Sequence, residues 1–418
     1  MGVELGFLAT CDLVGLVRGR ALKAPVTNSS SVGWVPADLA INSFGSIWEG
    51  NTFGSLGDLR LVPVPLAEFH LLGAEGAPNL SVHLSNQTLP DGTLWDYCPR
   101  GIAEKALADL MSEFEIDLIA SFEHEFLLLG NESRGSAFGL DSFRIAEPFG
   151  TQLVNTLDTN GFEPENWLSE YGENQYEITI SPSPALTAAD RAIALREIAR
   201  DVARTNGLRA SFTPLARPES VGNGVHVHLS LQKNGKPITY DQTQPGNLSK
   251  IASCAFNGIL KHASAILAWT APSQISFLRL QPHRWSAGGA YIAVEDREAL
   301  LRISPLNTVG NVGPDQSFNV EFRAADSTAN PWLVIAMLAR GLLAGLHEGR
   351  EIEVIGPLDR PLPRTLNEAI PALLADEVAS SWVPAGFLQT HIGIRRSEEL
   401  ELANLSDQEK CERYLNVY

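Results

Sequence analysis

The segment SFEHEFLLL, residues 121–129, sets Glu123 and Glu125 two apart in a run that otherwise reads as a buried strand. Period-two geometry turns both carboxylates to one face and His124 to the other. Two like charges so close, left dry and unpaired, would cost several kcal/mol or take up protons. Either that face opens onto water or something positive lies against it. Three further stretches repeat the pattern. SEYGENQYEITIS places Glu170 and Glu177 around a glycine-containing turn, with Glu177 entering a Tyr/Ile/Thr-rich strand. GNGVHVHLS puts His226 and His228 on one face and Val225, Val227 and Leu229 on the other. SFNVEFRAAD sets Glu321 and Arg323 on one face, with Val320 and Phe322 facing away.

These strands offer five carboxylates and one or two imidazoles. Carboxylate oxygens suit Mg²⁺ or Mn²⁺, and one imidazole is compatible, with Mn²⁺ especially. A single zinc ion would use three or four ligands, and the chain has no short Cys/His spacing. Two divalent ions would balance much of the acid cluster and could bind phosphate between them. Each group also has a plainer reading. A strand-end acid is usually solvated or paired with arginine, two histidines can bond at a sheet edge, and Glu321 with Arg323 can be a structural pair. That reading must be invoked afresh for every acid-bearing strand.

A basic set follows: Arg279, Arg284, Arg297 and Arg302, then Arg323. Guanidinium forks match carboxylate or phosphate oxygens, so acids joined by arginines suggest an anionic substrate and nucleotide phosphates. Neither a GxxxxGK phosphate loop nor a GxGxxG fingerprint occurs, so a P-loop or dinucleotide fold is unsupported.

The elements that must position these groups belong to a chain of 418 residues, long enough for a large core and two or more domains. Its 49 acidic against 31 basic residues argue against a general nucleic-acid binder. Cys11, Cys98, Cys254 and Cys411 lie far apart and fit free thiols in a reducing compartment. No apolar run has the length to span a bilayer, and the N-terminal residues lack the pattern of a secretory signal. The expectation is a cytoplasmic enzyme without nucleic-acid or membrane partners. The first ninety-odd residues are rich in Gly, Pro, Asn and Ser with short extended candidates at 13–20, 59–64 and 79–85, and a stretch at 27–57 that reads as flexible. Helical patterns begin at Ile102, cover 186–207 with Thr187 and Asp190 at capping-box spacing, run over 248–269, start again at Asn330–Pro331, and recur near 366–378.

Taken in order, these motifs resemble the glutamine synthetase family across nearly the whole chain. The match runs from LVGLVRGR and GDLRLVPV in the small domain to NVEFRAADSTANPWLVIAMLARGLLAGL in the large one. The resemblance implies an α+β fold: an N-terminal β-grasp domain over 1–96, then a catalytic domain over 97–418 with a curved antiparallel sheet flanked by helices. It also implies ring-shaped oligomers, commonly two stacked rings forming a dodecamer, with active sites between neighbouring subunits. Carried onto this sequence, it places one divalent ion at Glu125, Glu170 and Glu177 and another at Glu123, His226 and Glu321. His228 and Ser230, with Arg302, fall on the ATP side. Arg279, Arg323, Gly222 and Trp285 border the acid and amine substrates. Arg297 and Arg302 would engage phosphate and the phosphorylated intermediate, and with Arg323 form the catalytic set. The implied reaction phosphorylates the side-chain carboxylate of glutamate with ATP, and an amine then displaces phosphate from the γ-glutamyl phosphate.

The departures bear on substrate. The family's small-domain DGSS segment, whose acid helps bind ammonium, has no counterpart in NSFGSIWEGNTFGSLGD. In LRLQPHRWSAG, Trp285 stands where the family's flap presents a glutamate, and Val221–Gly222 replaces an Asn-Gly pair. VIGPLDRPLPRTL runs where regulated bacterial members carry an adenylylation tyrosine. Loss of two acids argues against ammonia as the amine, and indole offers an apolar or cation–π surface to a larger substituent. The preferred expectation is a γ-glutamyl-amine ligase. The alternatives are a ligase for another carboxylic acid, an ammonia-dependent glutamine synthetase, and a non-catalytic homologue.

Overall fold

A computed structural model describes residues 4–72, 79–130, 135–307, 309 and 312–418. Alternating residues fold the first part into five strands: β1 (Leu5–Cys11), β2 (Val17–Lys23), β3 (Val32–Trp34), β4 (Leu59–Leu71) and β5 (Leu80–Thr88). Their order is β2-β1-β5-β4-β3, with β1 and β5 parallel and the other pairs antiparallel. The 27–57 stretch is more anchored than its composition suggests. Ser43 donates from both N and Oγ to Glu398, at 2.9 and 2.7 Å, and Asn42 Nδ2 reaches Glu401 at 2.6 Å.

The second sheet contains β6 (Asp117–Leu129), β7 (Pro164–Ser169), β8 (Gln175–Ile180), β9 (Ser183–Pro184), β10 (Arg209–Ser211), β11 (Val225–Lys233), β12 (Lys236–Pro237), β13 (Gly289–Val294), β14 (Ala299–Ile303) and β15 (Val320–Ala325). The main order is β13-β14-β15-β11-β6-β8-β7, with β9 and β10 also against β6 and β12 against β11. The expected antiparallel sheet is found apart from one parallel pair, β13 with β14. The turn Glu295–Glu298 joins them without reversing their direction in the sheet, so the domain is mixed.

The apolar sides of the site strands are core, as their alternation predicts. Phe122, His124, Phe126, Val225, Val227, Leu229 and Phe322 are all buried. Helix Ala185–Thr205 packs on β6, and helix Pro331–Glu348 packs on it and on helices Pro99–Phe114 and Lys250–Lys261. Burying each large side chain there contributes roughly 1.5–3 kcal/mol. One glycine at the junction of the sheets cannot be replaced easily: Gly15 has φ +74°, and a Cβ there would meet Ser327 and Ala329 carbonyls at 2.9 and 2.8 Å.

Two local expectations are corrected. Thr187 and Asp190 form no capping box, because the helix starts at Ala185, directly after Pro184 leaves its bridge to β6. Asp190 is turned inward, where Arg100 Nε and Nη2 reach it at 3.0 and 2.9 Å and Trp332 Nε1 donates at 2.7 Å. The 248–269 pattern is two helices, Lys250–Lys261 and Ala263–Thr270, bent by 72°. His262 stands at the break, with Nδ1 2.6 Å from Asp376. No single helix among the described residues is long and apolar enough to cross a membrane.

Candidate active site

Sheet register turns five separate sequence stretches into one surface. His226 on β11 lies opposite Glu123 on β6, and Glu177 on β8 lies opposite Glu125. On the other side of β11, His228 faces Glu321 on β15, which in turn faces Arg302 on β14. Because side chains alternate, this register puts the polar groups on one side of the sheet and the buried apolar residues on the other.

The polar face floors a cavity of about 1030 Å³. All five carboxylates and His226 line it, as do Arg279, Arg297, Arg302 and Arg323. Gly222 and Trp285 lie on its wall. His228 and Ser230 are not among the lining residues. His228 stands behind, with Nε2 3.3 Å from Glu123 Oε2 and Nδ1 2.9 Å from Asn319 Oδ1.

Two groupings bring ligand atoms within 4.8 Å of one another: Glu123, Glu125 and His226, and Glu123, His228 and Glu321. Both share Glu123, whereas the family resemblance divides the six ligands without sharing. Glu170 and Glu177 face the same cavity from β8 and the turn before it. The Glu321–Arg323 pair is also real: Arg323 Nη1 bonds Glu321 Oε1, and Arg302 Nη1 reaches Oε2 at 2.8 Å.

Charge is unevenly compensated across the floor. Burial pushes the Glu123 carboxyl up, but hydrogen bonds from His226 and His228 outweigh it and hold the group well below the usual range. Glu321 is likewise held low, with burial outweighed by His226 and then Arg323. Burial disfavours the charged form of His228, yet its bond to Glu123 and that acid's charge raise it to about 9. Glu177 is pushed up to about 10 by burial and by the charges of Glu123, Glu125 and Glu170. Glu170 is raised by burial and Glu125. Ionised carboxylates on the Glu125–Glu170–Glu177 side would repel one another, so Glu177 stays protonated at neutral pH, and one or more bound cations would offset the repulsion and favour its charged form. An all-oxygen set with an imidazole beside it fits Mg²⁺ or Mn²⁺.

The arginines fit an anion. Arg279 is buried; Nη2 donates to Ala325 O at 2.7 Å, and its Nε has no partner among the described residues. Arg302 Nε is in the same condition. Arg284 is engaged elsewhere, reaching the Pro218 and Ser220 carbonyls at 3.0 and 3.4 Å. The wall around Trp285 is set by its backbone. Its N–H donates to Glu298 Oε1 at 2.9 Å and its carbonyl accepts from Arg323 Nη2 at 2.9 Å. The indole is 64% exposed and lies 6.3 Å from the Tyr171 ring, which is 6.4 Å from Phe138.

Sequence reasoning missed Phe138, Tyr171, Gln175 and Asn319. Tyr171 and Gln175 flank the same turn as Glu170, a positional signal available in the sequence. Asn319 and Phe138 carry no comparable signal.

A glutamine synthetase catalytic-domain family model matches residues 96–414, and a glutamine synthetase N-terminal-domain model matches residues 2–95. A gamma-glutamylpolyamine synthetase of Streptomyces coelicolor is 28% identical, over 97% of this chain and 92% of its own length. A solved structure described as a novel glutamine synthase homolog superposes with TM-score 0.94 at 38% identity, covering 100% of this chain and 99% of that one. A solved GmaS/ADP complex superposes with TM-score 0.82 at 22% identity, covering 98% and 96%.

Proposed function

The chain belongs to the glutamine synthetase family, and from that premise we propose that it is an ATP-dependent ligase joining the γ-carboxylate of glutamate to an organic amine. The observation carrying this reading is the single cavity in which acids from the sheet face arginines from the loops and strands around them. A carboxylate is a poor acyl donor until one oxygen carries a good leaving group. The terminal phosphoryl of ATP moves to the γ-carboxylate and ADP departs. The amine nitrogen then attacks the carbonyl carbon, the C–O bond to phosphate breaks with its electron pair, and the nitrogen loses a proton.

Glu123, Glu125, Glu170, Glu177, His226 and Glu321 would hold the divalent ions. When bound, these supply charge neutralisation for the phosphates. Arg279 and Arg323 orient the carboxylates of the acid, and Arg297 and Arg302 face the phosphoryl group as charge shifts onto it. His228 positions Glu123 on the nucleotide side, and Ser230 lies farther along that strand.

An organic amine is favoured over ammonia by the wall. Trp285, Tyr171 and Phe138 form an aromatic line at the mouth, and Val221 adds an exposed apolar side chain. Such a surface gains by covering carbon, which an organic amine carries and ammonium lacks. Similarity to a protein named for polyamine glutamylation supports the same choice. The reading extends to assembly as two stacked rings, a dodecamer of about 540 kDa at 45.3 kDa per chain, which native mass measurement checks.

The direct test is phosphate release with ATP and Mn²⁺ or Mg²⁺, scanned over glutamate and related acids against ammonium, alkylamines, ethanolamine and polyamines. We expect glutamate with an organic amine to give the highest kcat/KM. Ammonium giving the highest value would overturn the amine assignment, and another acid doing so would overturn glutamate.

A further inference from the structure

Gln175 is 2% exposed and sits at the start of β8, two residues before Glu177. An amide side chain this deeply buried has two donors and one acceptor to satisfy. Its Oε1 accepts from Gly172 N at 2.9 Å, and its backbone carbonyl accepts from Glu170 N at 2.8 Å. Both bonds close the turn that carries Glu170. Its Nε2 donates across the cavity wall to Gly222 O and Asn223 Oδ1, each at 2.9 Å, and lies 3.4 Å from Glu125 Oε2. That same carboxylate oxygen accepts Gly224 N at 2.7 Å.

The other side of the Gly222–Gly224 loop is Arg279. A Cβ on Gly222 would lie 2.4 Å from Arg279 Cγ, and one on Gly224 would lie 3.0 Å from its Nη1. The loop also has no slack behind. Asn223 Nδ2 donates to Thr213 O at 2.8 Å, and Asn223 N donates to Pro214 O at 2.9 Å. One primary amide thus ties the Glu170 turn, the Glu125 carboxylate and the loop that backs the Arg279 guanidinium.

We propose that Gln175 is a positioning residue that couples the acid cluster to Arg279, so that filling the cluster with a divalent cation and binding a carboxylate substrate at Arg279 assist each other through the Gly222–Gly224 loop. The inference rests on the ligase reading above. A cation and an anionic substrate also attract directly. Direct attraction does not require Gln175, whereas coupling through the loop does. Coupling is reciprocal, so each ligand must tighten the other by the same factor.

The test uses the full chain, Mn²⁺ and glutamate. Mn²⁺ affinity is read from the free-ion paramagnetic resonance signal with and without glutamate, and glutamate affinity from calorimetry with and without Mn²⁺. Gln175→Met keeps length and removes every side-chain hydrogen bond, and Gln175→Glu keeps shape but replaces the donor by an acceptor. Asn223→Ala cuts the same node from the loop side. In the variants we expect the mutual tightening to fall at least fivefold, while glutamate affinity without Mn²⁺ changes less than twofold. Variants that retain the parental tightening within twofold would leave the ligase reading standing and overturn this inference. A parent chain that binds Mn²⁺ or glutamate not at all would overturn the ligase reading and this inference with it. Loss of folding in all three variants would make Gln175 a structural residue and overturn it as well.

Discussion

Glu321 answers to three kinds of neighbour at once. It is 1% exposed, paired with Arg302 and Arg323, and close to His226, His228 and Glu123. Removing it leaves the buried Arg323 guanidinium and the half-buried Arg302 without their shared carboxylate, which costs about 3 kcal/mol or more. Glu321→Gln, which keeps the shape, is therefore the cleaner probe than Glu321→Ala. We expect Glu321→Gln to fold, to weaken Mn²⁺ binding at least tenfold and to lower turnover at least a hundredfold; near-parental values for both would remove Glu321 from the site. Trp285→Glu tests the amine wall. The ratio of kcat/KM for ammonium to that for a bulky amine should rise at least tenfold, and an unchanged ratio would mean that the wall lies elsewhere. The acids, His226 and the arginines were legible because each breaks an apolar alternation or clusters with its own kind. The shared role of Glu123 was not, since it depends on which strand lies beside β6. Gln175 was signalled only by its place in the Glu170 turn, and its role was not legible, because a neutral amide in a polar turn produces no anomaly until the fold brings Gly222 and Glu125 to it.

The helix that best illustrates element-level legibility is Pro331–Glu348. Proline at its first position and asparagine before it announce the start, and Asn330 Oδ1 accepts from Trp332 N and Leu333 N at 2.8 and 3.3 Å. What sequence could not announce is the other end of that amide. Asn330 Nδ2 donates to Cys11 and Asp12 carbonyls at 2.9 and 3.0 Å, tying the helix to the small sheet. Asn330→Asp keeps the cap and loses those donors, while Asn330→Ala loses both. Unfolding by denaturant should show a cost of about 2–4 kcal/mol for Ala and roughly half that for Asp; an Asp variant as stable as the parent would mean the cross-sheet bonds contribute nothing. Helix Ala385–Leu402 makes a pH-dependent contribution. His391 stacks on Trp269 at 3.9 Å and its Nε2 meets Ala268 O at 2.8 Å. Burial, and then Arg395, hold its pKa well below the usual imidazole value. The unfolded chain takes up a proton near pH 6.5 that the fold refuses, so this stabilisation is present above that pH and is lost as pH falls. Between pH 7.5 and 5.5, His391→Gln should lose about 1.4 kcal/mol less stability than the parent, and equal losses would place the titration elsewhere.

At the scale of the whole molecule the question is why a chain already at a formal charge of −18 gathers five carboxylates into one cavity. A fold gains nothing from that arrangement alone. Repulsion and desolvation oppose it, as the displaced titrations of Glu170 and Glu177 record. Two accounts make different predictions. If the acids are merely solvated, a divalent ion acts only by screening, and its effect is reproduced by monovalent salt at matched ionic strength. If the cavity is built around cations, ions that bind the folded chain and not the unfolded one stabilise by mass action. That stabilisation is about 2.7 kcal/mol at a hundredfold excess over Kd. We expect Mn²⁺ or Mg²⁺ to raise Tm in a saturable manner at constant ionic strength, chelation to reverse the rise, and Glu321→Gln to shift its midpoint to higher ion concentration. A Tm that follows ionic strength alone, with the parent and Glu321→Gln indistinguishable, would return the cluster to ordinary solvated acids. The reaction that depends on it would fall with that result.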